Sequence, residues 1–299
     1  MNIIGKKTLF LSIAGILVAL SIFLIFVFGF EEAIDFKGGT LWQFQIPQEN
    51  PSVETVSQFL KSDIKEIGET VINYDLTHDT FLVRLRTTTE DEHQKLQTVI
   101  KTKFPSFEEL SFQSIGPSIG ANLRKNAVKA IIFAIIFVSL YISFAFRKVS
   151  RPITSWKYGV VTMISLLHDI VIPAGLIAVL GHYLGVEIDS NFIVALLVIM
   201  GFSVHDTIVV FDRIRENLSL DRGKTEFGTV INNSINQTMA RSINTSLTLI
   251  IVLLAMFFLG PINLKYFTLT LLVGVSMGVY SSIFVASPLL LVWHNLTRK

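Results

Sequence analysis

The sequence predicts a polytopic α-helical membrane protein, with six transmembrane helices and one small α+β domain inserted between the first and the second. Three observations lead there. Of 299 residues, 51% are hydrophobic and only 16% are charged, against roughly 25% charged in an average soluble protein. Six apolar runs, at about 8–30, 127–146, 159–181, 190–211, 237–259 and 266–293, each reach the roughly 20 residues needed to cross a hydrocarbon core of about 30 Å. The segment 31–126, between the first two runs, is rich in Glu, Gln, Thr and Lys and is long enough to bury a modest core.

Lys6 and Lys7 precede the first run as they would in a signal peptide. The run of about 22 residues is too long for a signal core, and no small-x-small site follows before Glu31 and Glu32, so a retained first span is expected. In the domain that follows, TLWQFQI (40–46), ETVINYDL (69–76), TFLVRLR (80–86) and ELSFQSI (109–115) mix β-branched and aromatic residues with polar ones, as strands do. A helix is expected after Pro51, with Ser52 as N-cap and Val53, Val56, Phe59 and Leu60 on one face. A second follows Thr89, with acids in its first turn and Leu96, Val99, Ile100 and Phe104 facing inward. The order β-α-β-β-α-β is that of a ferredoxin-like, split βαβ unit. The expected division is therefore 1–30, 31–126 and 127–299.

Lys and Arg in the short connections set the orientation. Lys6 and Lys7, then Arg147, Lys148, Arg151 and Lys157, then Arg213, Arg215, Arg222, Lys224 and Arg241, then Arg298 and Lys299 all fall on one side if there are six spans. The opposite short connections hold Lys265 against Glu187 and Asp189. Both termini are thus expected in the cytoplasm and residues 31–126 outside it.

Several chemistries are absent. There is no cysteine, which excludes disulfides, thiolate metal ligands and cysteine nucleophiles. No GxxxxGK[ST] or HExxH motif occurs, so no nucleotide hydrolysis, cofactor or metal site is expected. A net charge of +2 gives no case for nucleic acid.

Ionisable residues inside the apolar runs are few, and each costs at least roughly 2.5–3.5 kcal/mol near the bilayer centre unless it finds a partner or water. Asp169 sits near the middle of the third run; Asp206 lies about 8–10 Å from the cytoplasmic end of the fourth, and Arg241 about 6 Å into the fifth from the same side. Asp206 and Arg241 are therefore expected at similar depths, either as a static ion pair or as a group that loads and releases a proton while its neighbour moves. For Asp169 the alternative is an interhelical hydrogen bond in its protonated form. His168 and His205 precede the two aspartates and, about 100° away on a helix, are read as packing or hydrogen-bonding residues. Gly274 and Gly278, with Ser282, recur every four residues in the last run and permit close helix packing. The polar first half of the fifth run must face protein or water rather than lipid.

GFSVHDTIVVFDRIREN (201–217) resembles the fourth-span signature of the SecF family, an auxiliary component of bacterial protein export. INQTMARSINTSLT (235–248) is similar to its fifth-span motif, IDFKGGT (34–40) to the segment leaving its first span, LLHDI (166–170) to its third span, and SIGPSIGANLRKNAVKA (114–130) to the entry into its second. The family belongs to the resistance-nodulation-division superfamily. The resemblance implies a multi-pass subunit of the bacterial plasma membrane that pairs with SecD and uses the proton-motive force to assist late translocation through SecYEG, after SecA has driven the chain in. Its implied partners are SecD, SecYEG, YajC, the unfolded secretory chain and the lipid bilayer. It maps the proton pathway onto Asp206 and Arg241, with Asp169 also in a family motif. Gly38, Gly39, Gly116 and Gly120 suit hinges or tight turns, because glycine tolerates backbone angles that other residues resist. Alternatives from other classes are a small-molecule exporter subunit of the same superfamily and a scaffold of the translocon that couples nothing.

Overall fold

The computed structural model describes residues 1–49, 51–63, 71–75, 79–147, 153–221 and 224–297. They form two compact units, one of Met1–Glu31 with Val128–Lys299 and one of Glu32–Ala127.

In the second unit, strands β1 (Gly39–Gln45), β2 (Val71–Asp75), β3 (Thr80–Leu85) and β4 (Glu108–Ile115) alternate with helices α2 (Val53–Asp63) and α3 (Glu90–Lys103) in the order β-α-β-β-α-β. The sheet runs β2-β3-β1-β4, every neighbouring pair antiparallel. Trp42 lies opposite Val83 on one side and Phe112 on the other. Because side chains alternate across a strand, Thr40, Trp42 and Phe44 all face inward together with Phe81, Val83 and Leu85, and all are buried. The helices close this face with Val56, Phe59 and Leu60 from α2 and Leu96 and Ile100 from α3, joined by Phe104 and Phe107.

Both helix starts follow local chemistry. Ser52 Oγ accepts the Thr55 amide at 3.2 Å. Thr89 and Glu92 form a reciprocal capping box, and backbone bonding from Thr89, with Arg86 beside it, holds the Glu92 carboxyl at about 2. One expectation is corrected. Val99 is exposed, and His93 takes the inward place, because 93, 96 and 100 follow the helical period while 99 falls to the side of it. The Trp42 indole, the Gln97 amide and the His93 Nε2 converge on Glu109 Oε2 at 2.8, 2.8 and 2.7 Å. Burial alone would push the Glu109 carboxyl up, but the bonds from Gln97, His93 and Trp42 outweigh it and hold the group below the ordinary glutamate range.

The first unit is helical: α1 (Lys7–Phe28), α4 (Pro117–Ala145, entering from the second unit), α5 (Ser155–Leu184), α6 (Ser190–Asp221), α7 (Phe227–Leu259) and a last span made of α8 (Lys265–Ser281), a π-helical turn (Ser282–Ala286) and α9 (Ser287–Thr297). Among the described residues, six helices are long and apolar enough to cross a membrane. Several outrun their apolar stretches: α4 begins at 117 rather than 127, α6 runs on to 221 rather than 211, and α7 begins at 227 rather than 237. Polar residues continue these helices, with i,i+3 pairs such as Arg213–Glu216 at 2.6 Å. Hydropathy marks where a helix is apolar, not where its hydrogen bonds end.

Helices α5 and α6 and the last span form the centre, half or more of their apolar windows being buried, against 11–17% for α1, α4 and α7. Small residues bring the central helices together. A Cβ on Gly274 would collide with the Ile199 side chain of α6, one on Gly278 would lie 3.2 Å from Ser203 Cβ, and one on Gly175 would lie 2.6 Å from Ser21 Cβ of α1.

Candidate functional site

The small-residue contact between α6 and the last span also builds the polar centre of the bundle. On α6, Ile199, Ser203, Asp206 and Val210 recur at helical spacing and are all buried. Ile199 and Ser203 meet Gly274 and Gly278, and the close approach brings hydroxyls within reach of two carboxylates.

Asp169, on α5, is fully buried. It accepts from Ser281 Oγ at 2.7 Å, from Ser203 Oγ, and lies 2.8 Å from His168 Nδ1. The His168 ring turns back on its neighbour rather than pointing away. When the carboxylate is ionised, Nδ1 must be the donor, and the ring is held by stacking on Tyr280 at 5.9 Å between centroids. Tyr280 is tied in turn to α1 by donating to the Phe10 carbonyl at 2.9 Å. Three donors on one carboxylate are the compensation a buried charge needs, since charge-assisted bonds are roughly twice as strong as neutral ones.

Asp206 is 5% exposed and accepts from Ser282 Oγ at 2.6 Å. Arg241 is exposed on α7, and among the described residues no ion pair joins it to Asp206. Of the two arrangements weighed for this pair, the static ion pair is therefore not formed in the single chain. Gln237, Arg241, Asn244 and Thr248 recur at helical spacing and are all exposed, a polar face on a membrane-length helix. Arg213 Nε and Asn217 Nδ2 both donate to Gln237 Oε1, at 2.6 and 2.9 Å, near its end. Next to the two ionisable residues, the Thr207 and Ser242 hydroxyls are buried with no hydrogen-bond partner. His205 is exposed.

The structure thus gives Asp169 and Asp206 buried hydroxyl partners and leaves Arg241 apart from them. The glycines before and at the start of α4 sit at close backbone approaches. Gly38 (φ 80°) and Gly39 (φ 127°) take left-handed angles, and a Cβ on Gly38 would come within 2.8 Å of Pro117 Cα. A Cβ on Gly120 would come within 2.9 Å of the Phe36 carbonyl oxygen, whereas one on Gly116 would meet nothing. The residues that the sequence reading did not single out for chemistry are Ser203, Ser281 and Ser282. Their signal was an adjacent serine pair in an apolar run, with Ser282 in register with Gly274 and Gly278.

Comparison with known proteins gives one consistent result. Residues 95–296 match the family model described as protein export membrane protein SecD/SecF, C-terminal. A protein translocase subunit SecF from Thermobaculum terrenum is 40% identical, over 91% of this chain and 87% of that one. Another from Anaerolinea thermophila is 36% identical, over 99% and 94%. The crystal structure of SecDF from Thermus thermophilus, a translocon-associated membrane protein, superposes with a TM-score of 0.81 at 35% identity; it covers 99% of this chain, which spans only 39% of that longer one. With a family model over most of the length and SecF relatives aligned nearly end to end, the chain belongs to the SecD/SecF family of protein export membrane proteins, as a SecF-type translocase subunit.

Proposed function

We propose that the chain is the SecF half of a SecD–SecF complex that uses the proton-motive force to assist late steps of translocation through SecYEG, with SecA acting before it. Asp206 is the proton-loading group, Arg241 the cation whose approach controls it, and Asp169 a second carboxylate of the same pathway. The observation that supports this most is the buried Asp206, held by a single serine, beside a helix whose exposed polar face carries Arg241. A guanidinium brought near a carboxylate favours its charged form, and its withdrawal removes that support. Motion between the two would then exchange a proton.

The exposed polar face of α7 cannot rest against lipid. A second bundle from SecD would cover it. The match to less than half of a SecDF chain supports this, because there the two halves are one polypeptide. The distribution of Lys and Arg supports cytoplasmic termini and an extracytoplasmic position for residues 31–126. That domain would hold the emerging secretory chain, and Gly38, Gly39, Gly116 and Gly120 would let it move. YajC is a further candidate partner on family grounds.

The test is Asp206→Asn in cells or membrane vesicles that depend on this chain. Export of a secreted precursor should lose its stimulation by the membrane potential while the complex still co-purifies. Undiminished potential-dependent export would end the proton-coupling reading, and loss of export only when assembly fails would favour a scaffold.

A further inference from the structure

Two adjacent hydroxyls of the last span serve two different carboxylates. Ser281 Oγ donates to Asp169 of α5 at 2.7 Å, and Ser282 Oγ donates to Asp206 of α6 at 2.6 Å; all four residues are buried. Neighbouring helical residues point about 100° apart, so this one place on the last span is set between two helices that each present an acid. Each hydroxyl also has a second acceptor on its own backbone: the Gly278 carbonyl lies 3.1 Å from Ser281 Oγ, and the Val279 carbonyl 3.0 Å from Ser282 Oγ. A serine has one proton to donate. An ionised carboxylate holds it through the stronger, charge-assisted bond, and a neutral one lets it turn back to the carbonyl.

The backbone here is built to respond. The π-helical turn starts at Ser282 itself, and such turns are single-residue insertions that recur at functional sites. Within the same stretch Pro288 has no N–H to offer the Phe284 carbonyl four residues before it, which removes one bond from the helical ladder. The Ser287 hydroxyl donates to the Ser282 carbonyl at 3.3 Å, a side-chain bond at the start of the turn. One turn earlier, Gly278 lies against Ser203, which donates to Asp169 and sits three residues before Asp206. The ionisable groups around the pair are His168 on α5, in contact with Asp169, and Arg241 on α7, exposed; among the described residues no other charged side chain bonds to either acid.

We propose that Ser281, Ser282 and the π-helical turn are a coupling element, positioning residues that make the protonation states of Asp206 and Asp169 interdependent. A proton arriving on Asp206 stays on its carboxyl; the Ser282 hydroxyl keeps its own proton and redirects its hydrogen bond to the Val279 carbonyl, and the π-helical turn passes this change to the adjacent Ser281 and so to Asp169. Its use in transport rests on the proton-coupling reading above. The linkage itself concerns only the two carboxylates.

The experiment is labelling of the full-length chain in membranes with a hydrophobic carbodiimide, which reacts with protonated carboxyl groups, read peptide by peptide by mass spectrometry. Ser282→Ala should change the labelling rate of Asp206 roughly tenfold, the effect of losing a bond to a charged group. It should also change that of Asp169 about threefold, although Ser282 does not touch it. Ser281→Ala should do the reverse, and Ser282→Thr, which keeps the hydroxyl, should restore both rates. If each alanine variant alters only the acid its own hydroxyl contacts, the coupling is overturned. Should the alanine variants not insert, the pH profile of Asp169 labelling in Asp206→Asn decides: a displaced profile supports the linkage and an unmoved one overturns it. A missing cross-effect together with a lost potential response in Asp206→Asn would overturn the coupling and leave the transport reading standing. An intact cross-effect with undiminished potential-dependent export would do the opposite.

Discussion

Gly274→Ala tests the contact on which the polar centre depends. A methyl built there lies 2.5 Å from Ile199 Cγ1 and 3.0 Å from Cγ2, with Cδ1 nearer still. Carbon atoms pack best at about 3.5–4.0 Å, so the isoleucine must retreat by about 1 Å. It cannot do so freely, because Ile199 is fully buried and branched at Cβ. Overpacking of this kind costs about 1–3 kcal/mol. Ile199→Ala alone removes the three atoms that clash and should cost about 2–5 kcal/mol as a cavity. Combined, the new methyl fills part of that cavity, and the double variant should be about 1–2 kcal/mol more stable than the sum of the two losses. The assay is equilibrium unfolding of the purified full-length chain in mild detergent against a denaturing detergent, followed by helical circular dichroism. Additive losses, or a cost for Gly274→Ala below about 0.5 kcal/mol, would refute the close approach of α6 and the last span.

Further predictions concern the second unit. Glu109→Gln should destabilise its sheet by about 1–2 kcal/mol, because three donors lose a charged acceptor. Since the folded pKa of Glu109 is depressed, its contribution is full above about pH 4.3, the unperturbed value, and is lost as pH falls through the lower folded value. Protection factors of the β1 and β4 amides, corrected for the intrinsic slowing of exchange in acid, should therefore fall on acidification in the parent chain and fall less in the variant. Thr89→Ala removes the capping box and should cost about 1 kcal/mol, seen as faster exchange in the first turn of α3. Gly120→Ala sets a methyl against backbone atoms of Phe36 and Gly38, at 2.9 and 3.0 Å, which cannot turn aside as a side chain can. Its thermal midpoint should fall by several degrees, and an unchanged midpoint would contradict the tight approach.

Much of the fold was legible because its signals are local. Span number follows from apolar length, and the strand and helix order of the inserted domain from periodicity and caps such as Ser52 and Thr89. Where one residue's neighbours decide, the reading failed by small amounts. Val99 and His93 exchanged roles within one turn, and helix ends were missed wherever polar residues carried the helix beyond its apolar stretch. In the site, the burial of Asp169 and Asp206 could be read from their positions in apolar runs. The anticipated closeness of Asp206 to Arg241 could not be settled that way, since equal depth says nothing about which way a side chain faces. His168 is a hydrogen-bonding residue, as expected, but its partner is the adjacent Asp169, which the 100° offset of neighbouring helical positions does not suggest.

By itself the sequence determined that the chain lies in a membrane, how many times it can cross, the element order of its inserted domain and, through five motifs, its family. These depend on composition, spacing and residue order, which no packing can alter. Only the tertiary structure decided what the buried acids touch. Ser203 and the Ser281–Ser282 pair come from distant parts of the chain and meet Asp169 and Asp206 because small residues, Gly278 among them, let α6 and the last span approach. Hydrogen-bond partners across helices depend on angles and distances of a few tenths of an ångström, and a linear sequence does not contain them in any form that periodicity can extract.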